Sequence, residues 1–329
     1  MVGYTPEKET QLFASEQALA GAVSGAVSRA LFQPFDVLKI RFQLQIEPLK
    51  RSETSKYWGI TQATTSIIRE EGVLALWKGH VPAQLLSVLY GTVQFVAFEV
   101  TTKLAWRVLP EDVYSDHKPL THLLCGGMAG CASTLVIQPV DVMRTRLISQ
   151  GKQKLYSSMI NGMVTITRTE GVRGLYRGIL PAMSQIAPQI GLQFSFYTLL
   201  RDLWKKLLHK NGEEILEIQG SAVCGSGAGL ISKTLIYPLD VIKKRLQVQG
   251  FEEARSEFGS TRHYRGMRHC LFTIAKEEGI IKGFYKGLTP SLWKAALVSG
   301  SSFYVYEKIC QLLEFRKKRD RICRSDDKI

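Results

Sequence analysis

The chain has 329 residues, with 43 Lys and Arg against 29 Asp and Glu, for a formal charge of +14. The basic residues are spread along the whole length rather than gathered into one stripe, which argues against nucleic acid and leaves anionic lipid heads or an anionic solute as partners. Enzyme chemistry finds no support: there is no GxGxxG, Walker lysine loop or HExxH, the six cysteines show neither CxxC nor metal spacing, and no cofactor is implied.

Residues 1 to 17 lack the Arg-rich, acid-poor composition of a transit peptide and the apolar core of a secretory signal, so any organelle address is expected within the mature chain. A first helix is predicted near 14 to 43, carrying Arg29 and Pro34. An amphipathic segment follows between Tyr57 and Gly72, then an uncharged run from Val81 to Phe98. The order returns with uncharged Leu120 to Val140, Tyr156 to Gly171 and uncharged Gly178 to Leu200. It returns again with 218 to 247, interrupted by Lys233, then Tyr264 to Gly279, then 288 to 312, interrupted by Lys294. The uncharged runs match a hydrocarbon core of about 30 Å at about 1.5 Å per helical residue. Ionisable residues inside membrane helices face a bundle interior or a water cavity. The pattern therefore predicts six membrane helices, two per repeat, with a short amphipathic helix between each pair.

One motif marks each repeat: Pro34-Phe-Asp36-Val-Leu-Lys39-Ile-Arg41, Pro139-Val-Asp141-Val-Met-Arg144-Thr-Arg146 and Pro238-Leu-Asp240-Val-Ile-Lys243-Lys-Arg245. The prolines lie 105 and 99 residues apart, too far for a solenoid repeat. Before each proline stands a GxxxG pair, Gly21 and Gly25, Gly126 and Gly130, Gly225 and Gly229, which predicts close approach of the odd-numbered helices. After it come a Glu-Gly step (Glu71, Glu170, Glu278), an aromatic-basic-Gly triplet and a proline. The triplets are Trp77-Lys78-Gly79, Tyr176-Arg177-Gly178 and Tyr285-Lys286-Gly287, and the prolines Pro82, Pro181 and Pro290. The third repeat carries one extra residue between Gly279 and Tyr285. Boundaries are expected at 1–114, 115–211 and 212–329.

Taken together, these motifs resemble the mitochondrial carrier family over nearly the whole chain. The resemblance implies an all-α membrane protein: six transmembrane helices in three pseudo-threefold repeats around a central cavity, with three short amphipathic helices on the matrix side. Proline removes a backbone donor, so the odd helices are expected to kink at Pro34, Pro139 and Pro238. The family pairing sets Asp36 against Arg144, Asp141 against Lys243 and Asp240 against Lys39 as a matrix gate. Gln43 and Gln247 would brace it, whereas repeat two has Ile148. On the even helices the resemblance places a cytoplasmic gate at Glu99, Arg201 and Glu307, where only Glu99 and Arg201 can make a charged pair. That gate is expected to be weak and the resting protein to open outward.

The cavity positions it implies are Arg29, Thr134 and Lys233, five residues before each odd-helix proline, and Leu86, Gln185 with Ile186, and Lys294, past each even-helix proline. Tyr90 could stack on a heterocycle. Three cations at membrane depth fit a multiply charged phosphorylated solute. The expected activity is import of thiamine pyrophosphate, exchanged for nucleotides, by a monomer surrounded by lipid, cardiolipin included. The alternatives are (deoxy)nucleotides or coenzyme A as cargo, or a transport-inactive scaffold. An ADP/ATP exchanger is disfavoured, because residues 243 to 248 read Lys-Lys-Arg-Leu-Gln-Val in place of that protein's Arg-Arg-Arg-Met-Met-Met.

Overall fold

In the computed structural model, residues 14–52, 55–110, 118–151, 154–208, 214–252, 255 and 262–326 are described. The expectation for the amino terminus falls, up to residue 13, outside them, as do the expected boundaries near 114 and 211. Every regular element among the described residues is helical. Repeat one comprises α1 (Ala14–Leu44), α2 (Ile60–Glu71), a 3-10 turn (Val73–Trp77) and α3 (His80–Val108). Repeat two comprises α4 (Lys118–Ser149), α5 (Met159–Glu170), α6 (Val172–Leu175), α7 (Ile179–Ser184) and α8 (Ile186–Leu208). Repeat three comprises α9 (Glu214–Gln247), α10 (Met267–Glu277), α11 (Ile280–Phe284) and α12 (Leu288–Asp326).

The long helices α1, α4 and α9 each run unbroken through the motif proline. Pro34 gives no N–H to the Ala30 carbonyl, and the Trp77 indole replaces it at 2.8 Å. The expected span from Gly178 to Leu200 is split at Gln185 into α7 and α8. Pro188 cannot donate to the Ser184 carbonyl, so the hydrogen-bond ladder lapses for one step. Among the described residues, Val73–Val108 and Leu120–Ser149 are long and apolar enough to cross a membrane by composition alone. Of the remaining long helices, α1, α9 and α12 carry the interrupting cations Arg29, Lys233 and Lys294, and α8 begins after the break at Gln185.

Each even helix packs along the odd helix of the next repeat: α3 on α4, α8 on α9, and α12 back on α1. The result is a closed ring. Apolar side chains such as Val88, Phe95, Leu124, Phe194 and Trp293 are exposed, while Gln33, Gln43, Gln138, Arg146 and Gln247 are buried. That inversion of the soluble pattern fits a lipid-facing exterior.

The three hydrophobic clusters sit at one end, where the C-terminal halves of α1, α4 and α9 meet the amphipathic helices. Each amphipathic helix turns a pair four residues apart inward: Ala63 and Ile67, Gly162 and Ile166, Cys270 and Ile274. The other end is open. A methyl group added at Gly21, Gly25, Gly126, Gly225 or Gly229 would meet nothing within 4 Å. The expected close approach through GxxxG is therefore absent here, because contacts between the odd helices gather at their opposite ends. Gly130 alone of the six is occupied, seating the Ile186 side chain of α8. The extra residue of repeat three is absorbed in α11, leaving Tyr285 stacked on Tyr237 with ring centroids 6.3 Å apart.

Candidate functional site

The closed end is held by three ion pairs arranged in cyclic order. Arg144 Nη2 donates to Asp36 at 2.6 Å, Lys243 Nζ lies 2.8 Å from Asp141, and Lys39 Nζ lies 2.6 Å from Asp240. Each pair joins one odd helix to the next. Gln43 donates to Asp240 at 3.0 Å and Gln247 to Asp141 at 2.8 Å. At the third pair Ile148 has no amide to offer, and Lys294 occupies Asp36 instead, at 2.7 and 2.6 Å from its two oxygens.

The sequence reading missed one participant. Lys244 donates to both oxygens of Asp141, to Thr145 and to the side-chain oxygen of Gln247, all within 3.2 Å. The basic run Lys243-Lys244-Arg245 is the signal that could have found it. Five cations thus surround three carboxylates. Arg29 has Arg144 and Asp36 as its electrostatic neighbours. Lys233 has Lys39, Asp240, Lys294 and Asp36. Among the described residues no carboxylate lies within ion-pair distance of Arg29 or Lys233. The cavity floor is strongly electropositive.

Beneath the ion pairs lies a second cyclic network, built from motif residues to which the sequence reading gave no role. Arg41 clasps Glu71 through two bonds, 2.5 and 2.8 Å, and Arg146 and Arg245 clasp Glu170 and Glu278 in the same way. The Tyr57, Tyr156 and Tyr264 hydroxyls accept from the same guanidinium groups. The triplet cations Lys78, Arg177 and Lys286 complete each carboxylate's shell.

Each arginine also caps the next odd helix: Arg41 Nε donates to the Ile148 carbonyl, Arg146 Nε to Gln247 and Arg245 Nε to Gln43. These are C-terminal carbonyls without intrahelical donors, at the negative end of the helix dipole. Burial opposes ionisation of Glu71 and Glu278, but their hydrogen-bonded cations outweigh it and hold both carboxyls below the usual range. Threefold recurrence of Glu and Arg was the available signal.

The triplet glycines fix how closely the repeats meet. Gly79, Gly178 and Gly287 have φ of 74, 75 and 79°, in the left-handed region. A methyl group there would lie 3.3, 2.9 and 2.7 Å from the carbonyls of Arg144, Lys243 and Lys39, the three cations paired in cyclic order with Asp36, Asp141 and Asp240.

The remaining expected positions are less uniform. Thr134 turns its hydroxyl to the Gly130 carbonyl at 2.8 Å, and Leu86 is buried. Ile186 packs on Gly130, and Gln185 stands at the helix break beside it. Tyr90 is half-buried, with Lys243 and Cys131 as electrostatic neighbours. At the open end, Glu99 and Arg201 are not brought together. Glu99 accepts from Lys103 at 2.7 Å, one turn along its own helix, and Arg201 and Glu307 are exposed. The reason is geometric, since diverging helices leave the local partner nearer.

A ring of helices closed by charge at one end and open at the other is the architecture of a membrane carrier. The family model described as mitochondrial carrier protein matches residues 10–108, 115–208 and 216–317, and the chain belongs to the mitochondrial carrier family. It is similar to the mitochondrial thiamine pyrophosphate carrier of Homo sapiens, 49% identical over 314 residues that cover 95% of this chain and 97% of that one. The Bos taurus protein of the same name is 47% identical over 322 residues, 97% of this chain and 100% of its own. The mitochondrial thiamine diphosphate carrier 2 of Zea mays is 40% identical over 313 residues, 89% and 92% of the two chains.

Proposed function

We propose that this protein imports thiamine pyrophosphate across the mitochondrial inner membrane in exchange for nucleotides, by alternating access. The observation that carries the reading is the cavity floor, where Arg29 and Lys233 have no carboxylate within ion-pair distance among the described residues and stand near Lys294, ready for a diphosphate. The names of the similar carriers supply the ring system that the cations alone do not specify. Tyr90 and Gln185 offer stacking and amide contacts to that ring.

The Asp36, Asp141 and Asp240 pairs serve as the matrix gate, closed here, with Gln43 and Gln247 as braces. Burial makes each pair costly to desolvate, so the attraction is largely offset and the gate stays reversible. Glu99, Arg201 and Glu307 form the cytoplasmic gate, open here. The small faces at Gly21, Gly25, Gly126, Gly225 and Gly229 are the surfaces that meet when the cytoplasmic end closes.

The test is uptake of labelled thiamine pyrophosphate by liposomes containing the purified protein, with and without internal nucleotide. Uptake that requires internal counter-substrate and is lost in Lys233→Ala and Lys294→Ala is expected. Absent uptake alongside active nucleotide exchange would keep the gates and move the cargo to nucleotides.

A further inference from the structure

The three gate carboxylates are not held alike. Asp240 and Asp141 are braced by neutral amides, Gln43 and Gln247, each fully buried on an odd helix, and the ammonium that joins Gln247 at Asp141, Lys244, is buried on that same helix. Asp36 is braced by an ammonium on an even helix, four residues past Pro290. The Lys294 side chain is 27% exposed, against 18% for Arg144 and Lys39, 14% for Lys243 and 8% for Lys244. Of the five cations around the carboxylates it is the most exposed.

We propose that Lys294 is a brace that cargo removes. An ammonium offers its donors to whichever anion is nearer and less neutralised. Asp36 already shares its charge with Arg144, so an arriving diphosphate draws Lys294 away and leaves that one pair unbraced. The buried amides at the other two seams cannot answer an anion in the same way. Cargo binding thus loosens the matrix gate first at the seam between α1 and α4. This rests on the reading of Lys294 as a cargo contact.

Installing the missing amide tests the idea. Ile148→Gln supplies Asp36 with a brace that cargo cannot remove. The substitution has precedent within the molecule. A methyl group at Gly178 would lie 3.2 Å from Gln247 Cγ, and one at Gly287 3.3 Å from Gln43 Cγ. Both other seams therefore already seat a glutamine over the glycine that corresponds to Gly79.

Equilibrium binding and exchange of labelled thiamine pyrophosphate are measured for the unaltered chain, Ile148→Gln, Ile148→Leu and Lys294→Met. Ile148→Gln is expected to bind within about twofold of normal and to exchange about tenfold more slowly, as one charge-assisted hydrogen bond allows. Ile148→Leu is expected to bind and to exchange as the unaltered chain does. Lys294→Met is expected to bind at least about tenfold more weakly, the loss of one charged contact. Normal exchange by Ile148→Gln, or equal slowing by Ile148→Leu, overturns the removable brace while leaving Lys294 as a contact. Normal binding by Lys294→Met overturns the cargo reading itself.

Discussion

The indole N–H of Trp77 donates to the Ala30 carbonyl at 2.8 Å, the acceptor that Pro34 strips of its own helical donor. A proline inside a membrane helix is tolerated when a neighbour supplies the missing bond. Trp77→Phe keeps the ring and deletes the donor. It should cost about 1–3 kcal/mol, read as a lower midpoint of thermal unfolding in detergent; an unchanged midpoint would show that another donor takes over.

Glu71 and Glu278 are each clasped by an arginine and a lysine under the ring of ion pairs. Removing one member strands a buried charge, so Glu71→Gln or Glu278→Gln should destabilise by about 3–5 kcal/mol. The pH dependence follows from the direction of their shifts. Both carboxyls are held below their unfolded range, so their contribution is complete above about pH 4.3 and is lost as pH falls through the folded values. Unfolding midpoints scanned from neutral to acid pH should fall, and the double glutamine variant should show a flatter acid limb.

The glycines divide into two groups with opposite expectations. Gly79→Ala places a methyl group 2.8 Å from Ile148 Cγ1 at a φ of 74°, and should destabilise the cargo-free protein. A methyl group at Gly25 or Gly229 meets nothing within 4 Å in this conformation, so Gly25→Leu and Gly229→Leu should change unfolding less than Gly79→Ala does, yet block exchange if the open end must close. Normal exchange by both leucine variants would remove the GxxxG faces from the transport cycle.

Asp36→Asn and Asp141→Asn break pairs that are formed in this conformation, whereas Glu307 is exposed at the open rim. Exchange in liposomes should slow more in the two aspartate variants than in Glu307→Gln. Equal effects would mean that the two ends contribute equally to the barrier.

Much of this arrangement was legible in the sequence because it recurs three times. Asp36, Asp141 and Asp240 stand at one motif position, and each meets the basic residue of the next repeat, an order that recurrence and the family resemblance supply together. What recurrence hides is where the symmetry fails. Lys244 is one position out of register with the motif, and Lys294 chooses a carboxylate on the first helix from 258 residues away. Neither partner follows from spacing, because a flexible ammonium stem reaches several acceptors. Glu99 and Lys103 were separable only by knowing which end is open. Ile148 announced a missing brace, but not what replaces it.

The meeting of the third repeat with the end of α1 has a consequence for how the chain is made. Lys286 donates to the carbonyls of Gln45, Ile46 and Glu47, and Arg255 to that of Leu44, across 211 to 241 residues. The first helix therefore has no lasting neighbour on that flank until the last one is synthesised. During insertion, two repeats form an arc with exposed ends, and Lys39 of α1 waits in the bilayer for Asp240 of the third repeat. Such distant pairing is slow to form. Assembly, more than any single helix, is the stage at which a truncated chain or a chain with a damaged third repeat fails.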